Sequence, residues 1–320
     1  MTRYAMLLGL LLTGTVQAQQ PAAPVGPLLP SGPDPWVTQR DGVYYYMHTM
    51  RDRIALWATR DMAKLGEATP VTVWRAPAKG ANSTSIWAPE LHFLRGKWYL
   101  YYSAADKAHD DDAHRHVFVL ENASPDPTKG EWVDKGMLRT RHTGIDGTVF
   151  EHRGKLYFVY SAYVDDHSDL IIAPMRDPWT LDGPEADIAA PTFAWEMQGD
   201  RKILEAPEFL AGPGGKVFLS YSASACWSDG YAIGLLSADA AADLMDPASW
   251  TKAPAPVVAS SPEDHVYATG HNGFFKTADG QDWIIYHANG GPDWKCTAKR
   301  APYMQRFGWD GEGRPVFRSR

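Results

Sequence analysis

Five times along the chain a short polar turn carrying glycine leads into an aromatic-rich run, at a spacing of roughly 55–65 residues. The copies read RDGVYYYMHT (40–49), RGKWYLYYSA (95–104), RGKLYFVYSA (153–162), GGKVFLSYSA (214–223) and DGQDWIIYHA (279–288). Gly42, Gly96, Gly154, Gly215 and Gly280 are placed to make hairpin turns, since glycine enters the left-handed backbone region without a Cβ penalty. The runs behind them alternate side chains, the pattern of a half-buried strand. One supersecondary unit repeated at such a period cannot bury its faces alone and must stack on its neighbours. Five β-rich copies predict an all-β fold, a five-bladed β-propeller, in which the innermost strand of every blade faces one central channel.

The repeat runs almost from end to end of the 320 residues, leaving no room for a second core, so 31–320 reads as a single catalytic-size domain. Blades are expected at 34–83, 84–142, 143–200, 201–265 and 266–320. Helical periodicity is nearly absent; Asp239–Asp246 offers one brief helical turn at most. Residues 1–18, MTRYAMLLGLLLTGTVQA, read as a signal peptide. Arg3 gives the positive start, Ala5–Leu12 the apolar run, and Val16-Gln17-Ala18 a small-x-small cleavage site. The run is too short to span a bilayer, so after its removal no membrane attachment is expected and the protein is secreted or periplasmic. Residues 19–30, rich in Ala and Pro, read as a linker.

Net charge is −7, and removal of 1–18 takes away Arg3 and no acid, giving −8. No basic run is present, which excludes nucleic acid as a partner and suits a neutral ligand. Cys226 and Cys296 either form one disulfide between the last two blades or sit apart as small buried residues. His109–His116, HDDDAHRH, is the most charged stretch. Its acids and imidazoles have no ligand spacing, so a solvated hairpin loop is preferred over a metal or substrate-facing loop. Sequons stand at Asn82 and Asn122.

The start of each innermost strand falls about eight to ten residues before each repeat glycine. Those positions hold Asp34 (PDPWV), Trp87 (IWAPEL), Asp146 (IDGTVF), Glu205 (LEAPEF) and His271 (GHNGFF). Three acids converging on one channel can raise one pKa and lower another. Asp34 before Pro35 and Asp146 before Gly147 are also turn chemistry. Glu208 follows Glu205, and the A-P-E of EAPEF mirrors that of WAPEL. This registry pairs Glu208 with Glu90 as strand residues and leaves Glu205 as the unusual one.

PDPWV, SIWAPELHF, GIDGTVF, LEAPEF and TGHNGFF, in this order, resemble the glycoside hydrolases of family 43, and the resemblance covers essentially the whole mature chain. It implies inverting hydrolysis with Asp34 as general base, Asp146 as the pKa-tuning and orienting carboxylate, and Glu205 as general acid. Inversion needs a carboxylate that activates water and a carboxylic acid that protonates the leaving oxygen, roughly 6.5–9.5 Å apart. No cofactor is implied for the chemistry. His271 is implied to face the channel, where many relatives hold a calcium or other ion. Imidazole is a poor calcium ligand alone, and a hydrogen-bonded channel histidine is the alternative. Sugar faces are apolar, so Trp36, Trp87 and Trp227 are candidate platforms. Arg300 matches the sugar-contacting arginine of relatives, with Lys299 and Arg306 as rivals.

Within the family, DRIALWAT, SACWSDGYAIGLL and CTAKRAPYMQRFGW look most like the exo-acting α-L-arabinofuranosidases. The implied partner is plant cell-wall polysaccharide, arabinan or arabinoxylan, or its oligosaccharides. β-Xylosidases and endo-arabinanases share the acids, and a non-catalytic carbohydrate-binding propeller shares the fold. A retaining fructan-hydrolysing propeller is disfavoured: Met175-Arg176-Asp177-Pro178 only superficially matches its Arg-Asp-Pro element, and no Asn-Asp-Pro-Asn-Gly block opens the first blade.

Overall fold

The structure, a computed structural model, describes residues 21–317; the signal peptide and linker residues 19–20 lie outside them. It is all-β, with helix confined to short 3₁₀ turns. The main strands form five antiparallel sheets along the chain, the third and fourth hydrogen-bonded into one nine-stranded sheet. The first holds β1 (Trp36–Arg40), β2 (Val43–Met47), β3 (Arg53–Thr59) and β4 (Val71–Arg75). The second holds β5 (Thr84–Leu94), β6 (Lys97–Ala105), β7 (His116–Asn122) and β8 (Val133–Met137). In the third, β9 (Gly144–His152), β10 (Lys155–Val164) and β11 (His167–Asp177) are edged by β12 (Thr180–Leu181) and β13 (Ala186–Ala189), both on β11. The fourth holds β14 (Lys202–Ala211), β15 (Lys216–Ala223), β16 (Ala232–Asp239) and β17 (Thr251–Lys252). The fifth holds β18 (Tyr267–Lys276), β19 (Asp282–Asn289) and β20 (Ala301–Arg306), followed by a small ribbon of β21 (Gly308–Trp309) and β22 (Pro315–Val316). A brief parallel register, His167↔Lys202 and Ser168↔Ile203, joins β11 to β14.

The repeat glycines sit in the hairpins between first and second strands, all at positive φ. Asp41-Gly42, Arg95-Gly96 and Arg153-Gly154 form two-residue loops with both residues left-handed, the turn whose twist matches the strands it joins. The strands after them were expected to be half-buried. Instead β6, β10 and β15 are buried on both faces over nearly their whole length. As the second strand of a sheet stacked between two others, each has apolar neighbours on either side. The five apolar clusters correspondingly lie between consecutive sheets, as where Leu156 and Phe158 of the third meet Tyr99 and Val119 of the second.

Two expectations are corrected. Asp239 ends β16 and 240–246 runs as turns and bends, with a 3₁₀ helix only afterwards at Pro247–Ser249. The described part of the linker is not a free tether. Ala22, Val25 and Leu28 donate backbone hydrogen bonds to Arg306, Met304 and Pro302 (3.1, 2.7 and 2.9 Å), so this segment lines the outer edge of β20. The sequon residues Asn82 and Asn122 are buried, their amides bonded to Tyr102 and Asp134, and to Lys129, respectively.

Seven residues after each repeat glycine stand Thr49, Ser103, Ser161, Ser222 and His287, and each reaches the first strand of the next sheet. Thr49 accepts from Ala88 N–H, Ser103 from Asp146 N–H and Ser222 from His271 N–H, at 2.7, 2.9 and 2.6 Å. Ser161 donates to the Leu204 carbonyl at 2.7 Å. His287, in the fifth sheet, accepts Asp34 N–H at 3.1 Å and so ties the last sheet to the first.

Candidate active site

The first strands of sheets two to five each carry a bulge where two residues oppose one. The pairs flanking it are Trp87↔Ser103 and Glu90↔Tyr101, Ile145↔Ser161 and Thr148↔Val159, Glu205↔Ser222 and Glu208↔Ser220, and Gly270↔His287 and Gly273↔Ile285. The extra residue is left-handed in every case: Ala88, Asp146, Ala206 and His271, with Asp34 in the same state ahead of β1. Each such non-glycine residue costs about 1–2 kcal/mol, offset by the inter-sheet hydrogen bonds to its own N–H. Bulges re-aim side chains, and here they turn Asp34, Asp146 and His271, with Trp87 and Glu205 one residue earlier, toward a common pocket.

That pocket, about 470 Å³, is lined by Asp34, Asp146, Glu205, Trp87, Trp227, His271 and Arg300 among others. All the expected site residues therefore meet except Trp36. Trp36 occupies the register position of Glu90 and Glu208, one layer below the bulge. Its indole N–H donates to the Leu91 carbonyl at 3.1 Å and its ring packs on His92. It is core packing, not a pocket wall.

Asp34 is the most heavily partnered acid. Thr49 Oγ1 donates to Oδ2 at 2.6 Å and Arg300 Nη1 lies 3.1 Å from Oδ1. His271 Nδ1 and His287 Nδ1 stand 3.4 and 3.5 Å from the same oxygen. Burial alone would raise its pKa, but Arg300, the two imidazoles and the Thr49 hydroxyl outweigh it and hold the carboxylate far below its usual range. Burial pushes the pKa of His271 down and that of His287 much further down. Arg300 is therefore the main charged partner of Asp34. The rivals fall elsewhere: Lys299 is exposed beside Trp294, and Arg306 reaches Gln281.

Glu205 is driven the other way. Burial raises its pKa to about 7; the Asp34 charge adds to the rise, while the Tyr231 hydroxyl and more distant Arg300 and Arg201 moderate it. Tyr231 donates to Oε1 at 2.6 Å, its ring stacked on His287 at 5.7 Å. Gly270 makes that placement possible, because a Cβ there would lie 1.9 Å from the Tyr231 ring. Asp146 is buried and raised well above the carboxylate range by burial and by the charges of Glu205, Asp34 and Glu90, against one N–H donated by Ala206. The pocket thus sets one carboxylate held low, Asp34, beside two that are raised, Asp146 and Glu205.

Glu90 and Glu208 are buried below this layer as a hydrogen-bonded pair, with His92 Nε2 2.9 Å from Glu90. Burial and the neighbouring Glu90 raise the Glu208 pKa. His271 faces Asp34 and, at 3.9 Å, Asp146 Oδ2. Among the described residues no group of three or more His, Cys, Asp or Glu is arranged to hold a metal ion. Calcium takes six to eight oxygens, waters included, and the carboxylates that face His271 are those of Asp34 and Asp146.

The HDDDAHRH stretch is a largely exposed loop, as expected, but Asp112 and Arg115 also face the pocket. Arg115 is 5% exposed, pairs with Asp110 and Asp112, and lays its guanidinium 4.0 Å above the Trp87 ring. Arg201 clasps Asp112 from across the pocket at 2.6 Å. Asp112, Arg115 and Arg201 all line the pocket. Sequence reasoning also missed Thr49, His287 and Tyr231. The first two carried a signal, since both stand seven residues after a repeat glycine. Cys226 and Cys296 are joined in a disulfide across a sequence separation of 70 and also line the pocket. Arg176 and Asp177 pair with each other at a turn outside it.

A pocket that pairs a firm carboxylate with a raised carboxyl group is the arrangement of a glycoside hydrolase. Residues 24–315 match the model of glycosyl hydrolases family 43, and the chain belongs to that family. It is 39% identical over 280 residues to an extracellular exo-α-(1→5)-L-arabinofuranosidase of Streptomyces chartreusis, covering 85% of this chain and 84% of that one. A protein of the same description from Streptomyces avermitilis is 37% identical, covering 99% of this chain and 68% of the relative. The crystal structure of an α-L-arabinofuranosidase from Lactobacillus brevis superposes with a TM-score of 0.85 at 32% identity, over 92% of this chain and 95% of that one. The chain is thus an α-L-arabinofuranosidase-like glycoside hydrolase.

Proposed function

We propose that the chain is a secreted, exo-acting, inverting α-L-arabinofuranosidase that releases terminal L-arabinofuranose from arabinan or from arabinoxylan side chains. Its five sheets are the blades of one five-bladed propeller spanning a single domain over 31–320; the inter-sheet bonds that run from sheet to sheet and return through His287 to Asp34 support that reading. Secretion is supported by the extracellular relatives and by the disulfide, which persists in an oxidising compartment.

The observation that carries the mechanism is the opposite displacement of Asp34 and Glu205 in one pocket. Asp34 accepts a proton from water as the water oxygen bonds to the anomeric carbon. The glycosidic C–O bond breaks, and its oxygen takes the proton of Glu205. Arg300 and Thr49 fix the Asp34 carboxylate in place. Asp146 orients the site, since its carboxyl accepts from Ala206, the residue after Glu205. Trp87, stiffened by the Arg115 guanidinium, offers a flat apolar face to the sugar.

The test is the product profile from linear arabinan, branched arabinan, arabinoxylan and xylo-oligosaccharides, with the anomer formed first read by proton NMR. Free arabinose from the outset, released as the β-anomer, is expected. Xylose would mark a β-xylosidase, early oligomers an endo-arabinanase, and absence of turnover a binding propeller. Glu205→Gln is expected to abolish turnover of these substrates while retaining sugar binding.

A further inference from the structure

Two tryptophans, Trp227 and Trp294, are the most exposed large aromatic side chains among the described residues, at 44% and 42%. Indoles bury a large apolar area in most folds, so two of them held in solvent at one place call for a ligand. Trp227 lies in the loop between β15 and β16, and Trp294 in the loop between β19 and β20. Both loops stand at the pocket, which Cys226, Trp227, Cys296, Thr297 and Ala298 line.

The two loops behave as one braced body. The Cys226–Cys296 disulfide joins them. Asp229 of the first loop accepts the Asp293 N–H of the second through both carboxylate oxygens, at 3.2 and 3.0 Å. Each indole is also fixed. Trp227 Nε1 donates to the Gly199 carbonyl at 2.8 Å, and Trp294 rests on Gly290 and Gly291, where a Cβ would come within 3.3 and 3.0 Å of its ring. Asp293 and Lys295, on either side of Trp294, are both left-handed, a conformation that persists only where surrounding structure imposes it. Restraint of this kind on exposed aromatics lowers the ordering cost of binding.

We infer that this disulfide-braced rim is a binding subsite for the leaving-group side of the substrate: the pentose chain that emerges from the pocket once its terminal sugar is seated there. The apolar C–H faces of successive sugars stack on Trp227 and Trp294. The inference rests on the proposed pocket chemistry but has its own readout. Because rim contacts form only with sugars beyond the terminal one, they make kcat/KM rise with chain length.

The experiment compares kcat/KM for α-1,5-linked arabinotetraose and arabinobiose in the wild type, Trp227→Ala, Trp294→Ala and the double variant. One stacking platform contributes about fivefold. The tetraose-to-biose ratio is expected to exceed one in the wild type, to fall about fivefold or less in each single variant, and to approach one in the double variant. Trp227→Tyr and Trp294→Tyr should recover part of it, which separates stacking from misfolding. A wild-type ratio near one, or a ratio unchanged in the double variant, overturns the inference. Turnover of xylotetraose and xylobiose instead would sink the arabinofuranosidase reading alone, and the same ratio in that series would still judge the rim.

Discussion

Removing the Tyr231 hydroxyl should move the alkaline limb of activity upward. Its O–H donates to Glu205 Oε1 at 2.6 Å, a bond that favours the ionised carboxylate. A hydrogen bond to a charged group contributes about 1.5–3 kcal/mol, and the neutral bond kept by protonated Glu205 about 0.5–1.5 kcal/mol. The difference, ~1–1.5 kcal/mol, corresponds to about one pKa unit. Glu205 stands at about 7 in the wild type, so Tyr231→Phe places it at about 8. The sign follows because the lost donor served the anion more than the acid. The acid form at pH 8 then rises from about one-tenth to about one-half, and the pH 8 to pH 6 ratio of kcat/KM by about fivefold. The ring, its stacking on His287 and its fit against Gly270 remain. The assay must use arabinobiose, whose poor leaving group needs the proton, with arabinose followed by chromatography from pH 5 to 9. An alkaline limb that stays put, or moves to lower pH, refutes the assignment of Glu205 as the proton donor held by Tyr231.

Arg300→Met removes the cationic partner of Asp34 and should return its carboxylate toward the ordinary range. The acid limb of the kcat/KM profile should move to higher pH, and the plateau should fall about 100-fold as the proposed base loses its anchor. Cys226→Ser/Cys296→Ser opens a loop of sequence separation 70. Chain entropy sets an upper loss of about 4 kcal/mol, so calorimetry should show Tm lower by about 5–10 °C, matched by the reduced wild type. An unchanged Tm would show that the bond adds nothing to the fold.

The sheets were legible because the hairpin between the first and second strand of each carries a left-handed glycine, which marks it whatever the surrounding side chains do. The acids were legible because five first strands repeat one local conformation. What was harder to read came from the left-handed residue at or ahead of the start of each first strand. It resets the side-chain alternation beyond it, so Trp36, two positions after Asp34, points into the layer of Glu90 and Glu208 instead of the pocket. Trp87 and Glu205 likewise stand one residue ahead of the true counterparts of Asp34, which are Ala88 and Ala206. HDDDAHRH is mostly exposed, and its two pocket-facing residues were hidden because part of its charge is satisfied internally. Arg115 takes up two of the acids, and that neutralisation allows its burial against Trp87.

The strand-like contact between Val25 and Met304 spans nearly the whole polypeptide. The earliest described residues therefore find their partner only after β20 exists, and the loop they close is the longest and entropically the most costly in the molecule. Until that fastening is made, β20 presents unpaired amides and carbonyls to solvent, an open invitation to another chain. The molecule's most vulnerable interval is thus its final one, and a chain lacking the residues up to 28 would keep its pocket residues but carry an adhesive flank.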